Sequence, residues 1–190
     1  MSDIKQKIPN WLTLFRVVII PFLVLSFYLE RGDLKFITTL LFVLASLSDF
    51  LDGYLSRKWN TTSQYGAMLD QISDKLIVTT ALCLIITDEN WLAIAAIATI
   101  CREIFISGLR EYLGKSGDIS VPVTKLAKWK TASQMASIIL LLLTSGNIAN
   151  PGVTINMIYG LGCVLIWVST GLTLYTGYNY YIAAKRQNLL

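Results

Sequence analysis

Histidine is absent from all 190 residues. That removes the commonest general base and the commonest transition-metal ligand, so acid–base chemistry falls to carboxylate, lysine, tyrosine or water. Cysteine is scarce: Cys83, Cys101 and Cys163 stand far apart in the chain. They lack the paired spacing of a zinc or redox centre and read as small buried hydrophobes. Charge is also scarce, at 15% against 54% hydrophobic residues. With a mean hydropathy of +0.58, the chain is too apolar for a soluble domain of this size and predicts an all-α integral membrane protein. The net charge is only +4, and the bases gather in short connecting segments. Membrane orientation explains them, and nucleic-acid binding is excluded.

What is present is a series of apolar runs separated by polar links. The N-terminus lacks the charged, apolar and small-residue succession of a cleaved signal, so the first run is expected to stay. Six spans are predicted: Trp11 to Tyr28, with Asn10 placed to cap it; Phe36 to Arg57; Gly66 to Ile86; Trp91 to Leu113; Lys125 to Leu143; and Ile155 to Tyr181. Lys5, Lys7, Arg57, Lys58, Lys115, Lys125, Lys128, Lys130, Lys185 and Arg186 fall on one side of this arrangement, against Arg31 and Lys35 on the other. By the positive-inside rule both termini face the cytoplasm. No linker, low-complexity tract or internal repeat divides the chain, so residues 1–190 read as a single transmembrane domain.

One stretch breaks the apolar pattern. Asp49 and Asp52 stand at i and i+3 near the end of the second span, and Gly66, Asp70 and Asp74 stand at i, i+4 and i+8 in the third. Each set lines one helix face. The link from Lys58 to Tyr65 is long enough to let the two helices run antiparallel with those faces opposed. Four carboxylates meeting at a membrane surface repel one another unless cations neutralise them, and an all-oxygen cluster suits a hard divalent ion such as Mg²⁺ or Mn²⁺. The structural alternative, helix caps and ordinary ion pairs, leaves four acids against Arg57 and Lys75.

The full pattern, Asp49-x-x-Asp52-Gly53-x-x-Ser56-Arg57, eight residues, then Gly66-x-x-x-Asp70-x-x-x-Asp74, resembles the signature of the CDP-alcohol phosphotransferases, membrane enzymes of phospholipid synthesis. Its one departure is Ser56, where that family usually has alanine. The resemblance implies two bound divalent cations, Mg or Mn, held by Asp49, Asp52, Asp70 and Asp74. It also implies a CDP-linked donor, an alcohol acceptor that displaces CMP, and Asp74 as the base for the acceptor hydroxyl. Gly53 and Gly66 would let a nucleotide or a neighbouring backbone approach closely, and Arg57 suits a diphosphate. The opening Pro9-Asn10-x-x-Thr13-x-x-Arg16 is similar to a run common in the same family. Asn10 and Thr13 read either as contacts to the nucleotide diphosphate or as a helix cap and a backbone-bonded hydroxyl. Arg16, inside an apolar run, is expected to pair with an acid or a lipid phosphate.

Arg102 and Arg110 in the fourth span and Lys128 and Lys130 at the start of the fifth suit a dianionic phosphate on the acceptor. Their structural alternatives are an ion pair with Glu103 or Glu111 and a basic helix end facing anionic lipid. The wording Arg102-Glu103-Ile104-Phe105-Ile106-Ser107-Gly108-Leu109-Arg110-Glu111 is similar to the bacterial phosphatidylglycerophosphate synthase branch of the family. That likeness implies CDP-diacylglycerol as donor and glycerol 3-phosphate as acceptor. It further implies a homodimer in the bacterial cytoplasmic (inner) membrane, among membrane lipids, with the site facing the cytoplasm. The competing expectations are the same chemistry on inositol phosphate or serine, and a small divalent-cation transporter, since intramembrane acids also mark ion pathways.

Overall fold

The computed structural model describes the backbone of residues 2–30, 35–59, 64–115, 125–145 and 152–186, and the side-chain surroundings of 13–30, 35–51, 66, 68–112, 126, 128–145 and 152–185. Among the described residues there is no strand. Six α-helices follow in order: α1 Ser2–Leu29, α2 Phe36–Trp59, α3 Gln64–Asp88, α4 Ala93–Lys115, α5 Lys125–Thr144 and α6 Val153–Arg186, with a short 3₁₀ turn at Asn90–Leu92 leading into α4. Two helical stretches, Asn90–Tyr112 and Val153–Lys185, are long and apolar enough to cross a membrane; Thr13–Leu29 and Phe36–Leu51 are shorter apolar helices. At 1.5 Å per residue the 34-residue α6 reaches about 50 Å, well beyond a hydrocarbon core of about 30 Å.

The helices match the expected spans to within a few residues except at the start. α1 begins at Ser2 rather than at Trp11, so Asn10 lies inside the helix and does not cap it. Pro9 and Pro21 are both accommodated within α1. An interior proline withdraws only one backbone hydrogen bond, and good helix formers such as Lys5, Gln6 and Lys7 carry the helix past Pro9. The expectation of three buried cysteines is corrected as well: Cys163 is buried, but Cys83 and Cys101 are exposed on their helices. In a membrane a small apolar side chain gains as much from lipid as from a protein core, so exposure costs it little.

The chain divides into two compact units, Met1–Asp88 with Leu142–Pro151, and Glu89–Leu141 with Gly152–Leu190. In the first, α1 packs on both α2 and α3, around Leu23, Phe27, Phe42, Ala45, Ala81 and Leu82. Two polar devices hold one end of this unit. Glu30 accepts the N–H groups of Ile37 and Thr38 at 2.7 and 2.9 Å and the Thr38 hydroxyl at 2.6 Å, which satisfies donors left open in the first turn of α2. Buried Lys35 lies 3.2 Å over the Phe27 ring and 3.3 Å from Asp88, and Ser145 donates to the same Asp88 carboxylate at 2.6 Å. In the second unit α4 packs on α6 around Leu92, Ala95, Ala96 and Ile166. Thr99 and Thr170 share a hydrogen bond of 3.1 Å across that seam.

Candidate active site

In the first unit an arginine gathers the acidic face. Arg16 stands on α1, fully buried, with Thr13 buried one turn before it. Its Nη1 donates to Asp49 Oδ1 on α2 at 2.5 Å, and its Nη2 donates to Asp70 Oδ1 on α3 at 2.6 Å. These partners lie 33 and 54 residues away in sequence. A planar fork meets two carboxylates through separate nitrogens in a fixed geometry, which a lysine's single ammonium does not supply. A guanidinium with no exposed surface would cost several kcal/mol unpaired, by order of magnitude, so the two acids hold it as much as it holds them. The two aspartate side chains are partly exposed, at 38% for Asp49 and 43% for Asp70.

Asp74, half-buried, follows Asp70 by one helical turn, and half-buried Gly66 precedes it by one turn on the same face of α3. Asn10, Asp52, Gly53 and Arg57 have helical backbones but lie outside the residues whose surroundings are described. Among the described residues no three acidic or cysteine side chains gather into a metal cage. Asp49 and Asp70 do converge on the guanidinium, and carboxylate oxygens are the donor type that a hard divalent ion would take. Arg16 was expected to meet an acid or a lipid phosphate, and it meets two acids of the signature. An arginine inside an apolar run was the available signal. Its partners, on two different helices, were not readable from spacing.

The predicted acceptor cluster lies in the second unit, and only part of it comes together. Arg102 on α4 and Lys130 on α5 both reach Glu103 Oε1, the arginine at 3.1 Å. Arg102 also donates to Thr176 on α6 at 3.0 Å, while its Nε is buried without a hydrogen-bond partner. The ion pair with Glu103 weighed as the alternative for Arg102 is therefore present. Arg110, two turns further along α4, is exposed and lies 5.2 Å over the Tyr180 ring. Lys128 is exposed on α5. Glu103 is the residue that sequence reasoning undervalued, since it joins two of the four bases.

The first unit also carries an apolar groove of about 590 Å³ running along α1 and α2, from Phe15 and Leu44 to Leu29 and Ile37. Its lining includes neither Arg16 nor the two acids, and Phe15 at its end is exposed where Arg16 is buried.

A model of the family described as CDP-alcohol phosphatidyltransferase matches residues 6–175. The chain is 40% identical over 184 residues to a protein of Haemophilus influenzae, covering 95% of each chain. It is 39% identical over 188 residues to one of Yersinia enterocolitica, covering 97% of this chain and 98% of the other. A Rickettsia felis protein is 38% identical over 183 residues, with 96% and 98% covered. All three relatives bear the name CDP-diacylglycerol–glycerol-3-phosphate 3-phosphatidyltransferase.

Proposed function

Because the chain belongs to the CDP-alcohol phosphatidyltransferase family, we propose that it moves the phosphatidyl group of CDP-diacylglycerol to glycerol 3-phosphate, releasing CMP. The observation that carries this reading is the meeting of Asp49 and Asp70 on one cation, which joins the two halves of the signature at a single point. The match runs through both compact units, which supports one catalytic domain. Six spans, cytoplasmic termini and a site at the cytoplasmic face of the inner membrane remain the arrangement that the basic residues favour. A homodimer belongs to the same proposal.

Asp49, Asp52, Asp70 and Asp74 would hold two divalent cations, Mg or Mn, which when bound neutralise the donor's diphosphate. Asp74 accepts the proton of a glycerol hydroxyl, and that oxygen forms a bond to the β-phosphorus as the bond to the CMP oxygen breaks. Asn10, Thr13, Gly53, Arg57 and Gly66 are assigned to the nucleotide and its diphosphate in this reading. Arg110 and Lys128, both exposed, receive the acceptor phosphate in this reading, and Arg102 and Lys130, paired with Glu103, belong to the same set. The apolar groove along α1 and α2 is suited to an acyl chain of the donor.

The test is CMP release by purified protein in detergent with CDP-diacylglycerol and Mg²⁺, with and without glycerol 3-phosphate, for the native chain and Asp74→Asn. Release that needs acceptor and metal and falls at least about 100-fold in the variant is expected. Turnover only with serine or inositol phosphate would overturn the acceptor. Divalent-cation flux in vesicles without CMP release would overturn the transferase.

A further inference from the structure

We propose that Arg16 is an internal counter-cation of the acidic site, which competes with a divalent ion for the oxygens of Asp49 and Asp70 and so sets how tightly that ion is held. The inference rests on the reading that these aspartates hold metal. Three observations lead to it. The guanidinium is fully buried, so its charge is little screened by water and acts at full strength on whatever shares its surroundings. Its two terminal nitrogens reach carboxylates on different helices, at 2.5 and 2.6 Å. The two aspartate side chains are partly exposed, so water, and an ion with it, can approach them.

The physical consequence follows from charge. A divalent ion held by the same two carboxylates would lie close to the guanidinium that they already bind, and the two cations would repel. The ion must therefore weaken or displace the Arg16 pairs when it binds. The opposite arrangement is also chemically possible: Arg16 serving as a splint that preorganises the two acids, so that its loss weakens the ion. The two differ in sign, and the sign is measurable.

Free Mn²⁺ would be followed by electron paramagnetic resonance in titrations of the full chain in detergent, for the native protein, Arg16→Gln, Arg16→Lys and Asp70→Asn. Competition predicts that Arg16→Gln binds Mn²⁺ at least about tenfold more tightly, the effect of removing one unit charge a few ångströms from a divalent ion even with water-like screening. Arg16→Lys, which keeps the charge but loses the fork, should fall between that variant and the native protein. Unchanged or weaker binding in Arg16→Gln would overturn the proposal, and if that variant does not fold, unchanged or weaker binding in Arg16→Lys does the same. Asp70→Asn separates this from the underlying reading: weaker Mn²⁺ binding there supports the carboxylates as ligands whatever Arg16 does. Intact binding there would overturn both.

Discussion

Gly177→Ala sets two effects of opposite sign against each other. A Cβ at Gly177 on α6 would lie 2.9 Å from Arg102 Nε and 3.1 Å from its Cγ. These atoms belong to the stem of the arginine, whose tip is held by Glu103 and by Thr176, so the side chain cannot simply swing aside. Alanine in a helix interior gains roughly 0.8 kcal/mol over glycine. Shifting Arg102 off Thr176 forfeits a hydrogen bond from a charged donor, about 1.5–3 kcal/mol. The net is a loss of about 1 kcal/mol, or about 2–4 °C in Tm for a chain of this size. Gly171 is the control, since a Cβ there meets nothing within 4 Å, and Gly171→Ala should raise Tm or leave it unchanged. Thermal unfolding of both variants in one detergent tests the balance. Equal Tm for Gly177→Ala and Gly171→Ala would refute it. If Arg102 also supports the acceptor phosphate, Gly177→Ala raises the KM for glycerol 3-phosphate with little change in that for the donor. Lower stability with an unchanged acceptor KM would make Arg102 a purely structural residue.

Arg110→Ala and Lys128→Ala should each raise the glycerol 3-phosphate KM about tenfold, the worth of one exposed charge-assisted contact, with kcat largely kept; equal effects on donor and acceptor would count against both residues. Val18→Trp fills the groove along α1 and should raise the KM for long-chain CDP-diacylglycerol more than for a short-chain donor, and loss of that contrast would remove the acyl chain from the groove. Glu30→Ala should cost about 1 kcal/mol through the lost cap of α2, read as a lower Tm at neutral pH. Burial pushes the Glu30 carboxyl up, but hydrogen bonds from Thr38 and Ile37 and the charge of Lys35 outweigh it and hold the group below its ordinary value of 4.5. A lowered native value means that the carboxylate's contribution is present above the unfolded pKa and is lost as pH falls through the native one. The Tm difference between native protein and Glu30→Ala should therefore shrink below about pH 4.5, and a constant difference down to pH 3 would refute the linkage.

The helices and the signature were legible in the chain because both are local. Apolar runs of spanning length ended by Asp88, Gly114 or Asn150 mark helices without reference to anything distant. The fixed intervals between Asp49, Asp52, Gly66, Asp70 and Asp74 place those residues on helix faces whatever the packing. Even the isolated arginine at position 16 announced a need for an anion. The start of α1 was misread because Asn10 makes a good cap only where the chain before it is not already helical, and the helix formers from Ile4 to Lys7 make it so.

Only the tertiary structure decided which anion answers which cation. Arg16 takes Asp49 and Asp70, Lys35 takes Asp88 with Ser145, and Lys130 takes Glu103. Each choice joins residues on separate elements. Sequence spacing specifies the direction of a side chain around its own helix. It says nothing about the rotation and depth at which two helices meet, and those are set by the shapes of the apolar side chains packed between them.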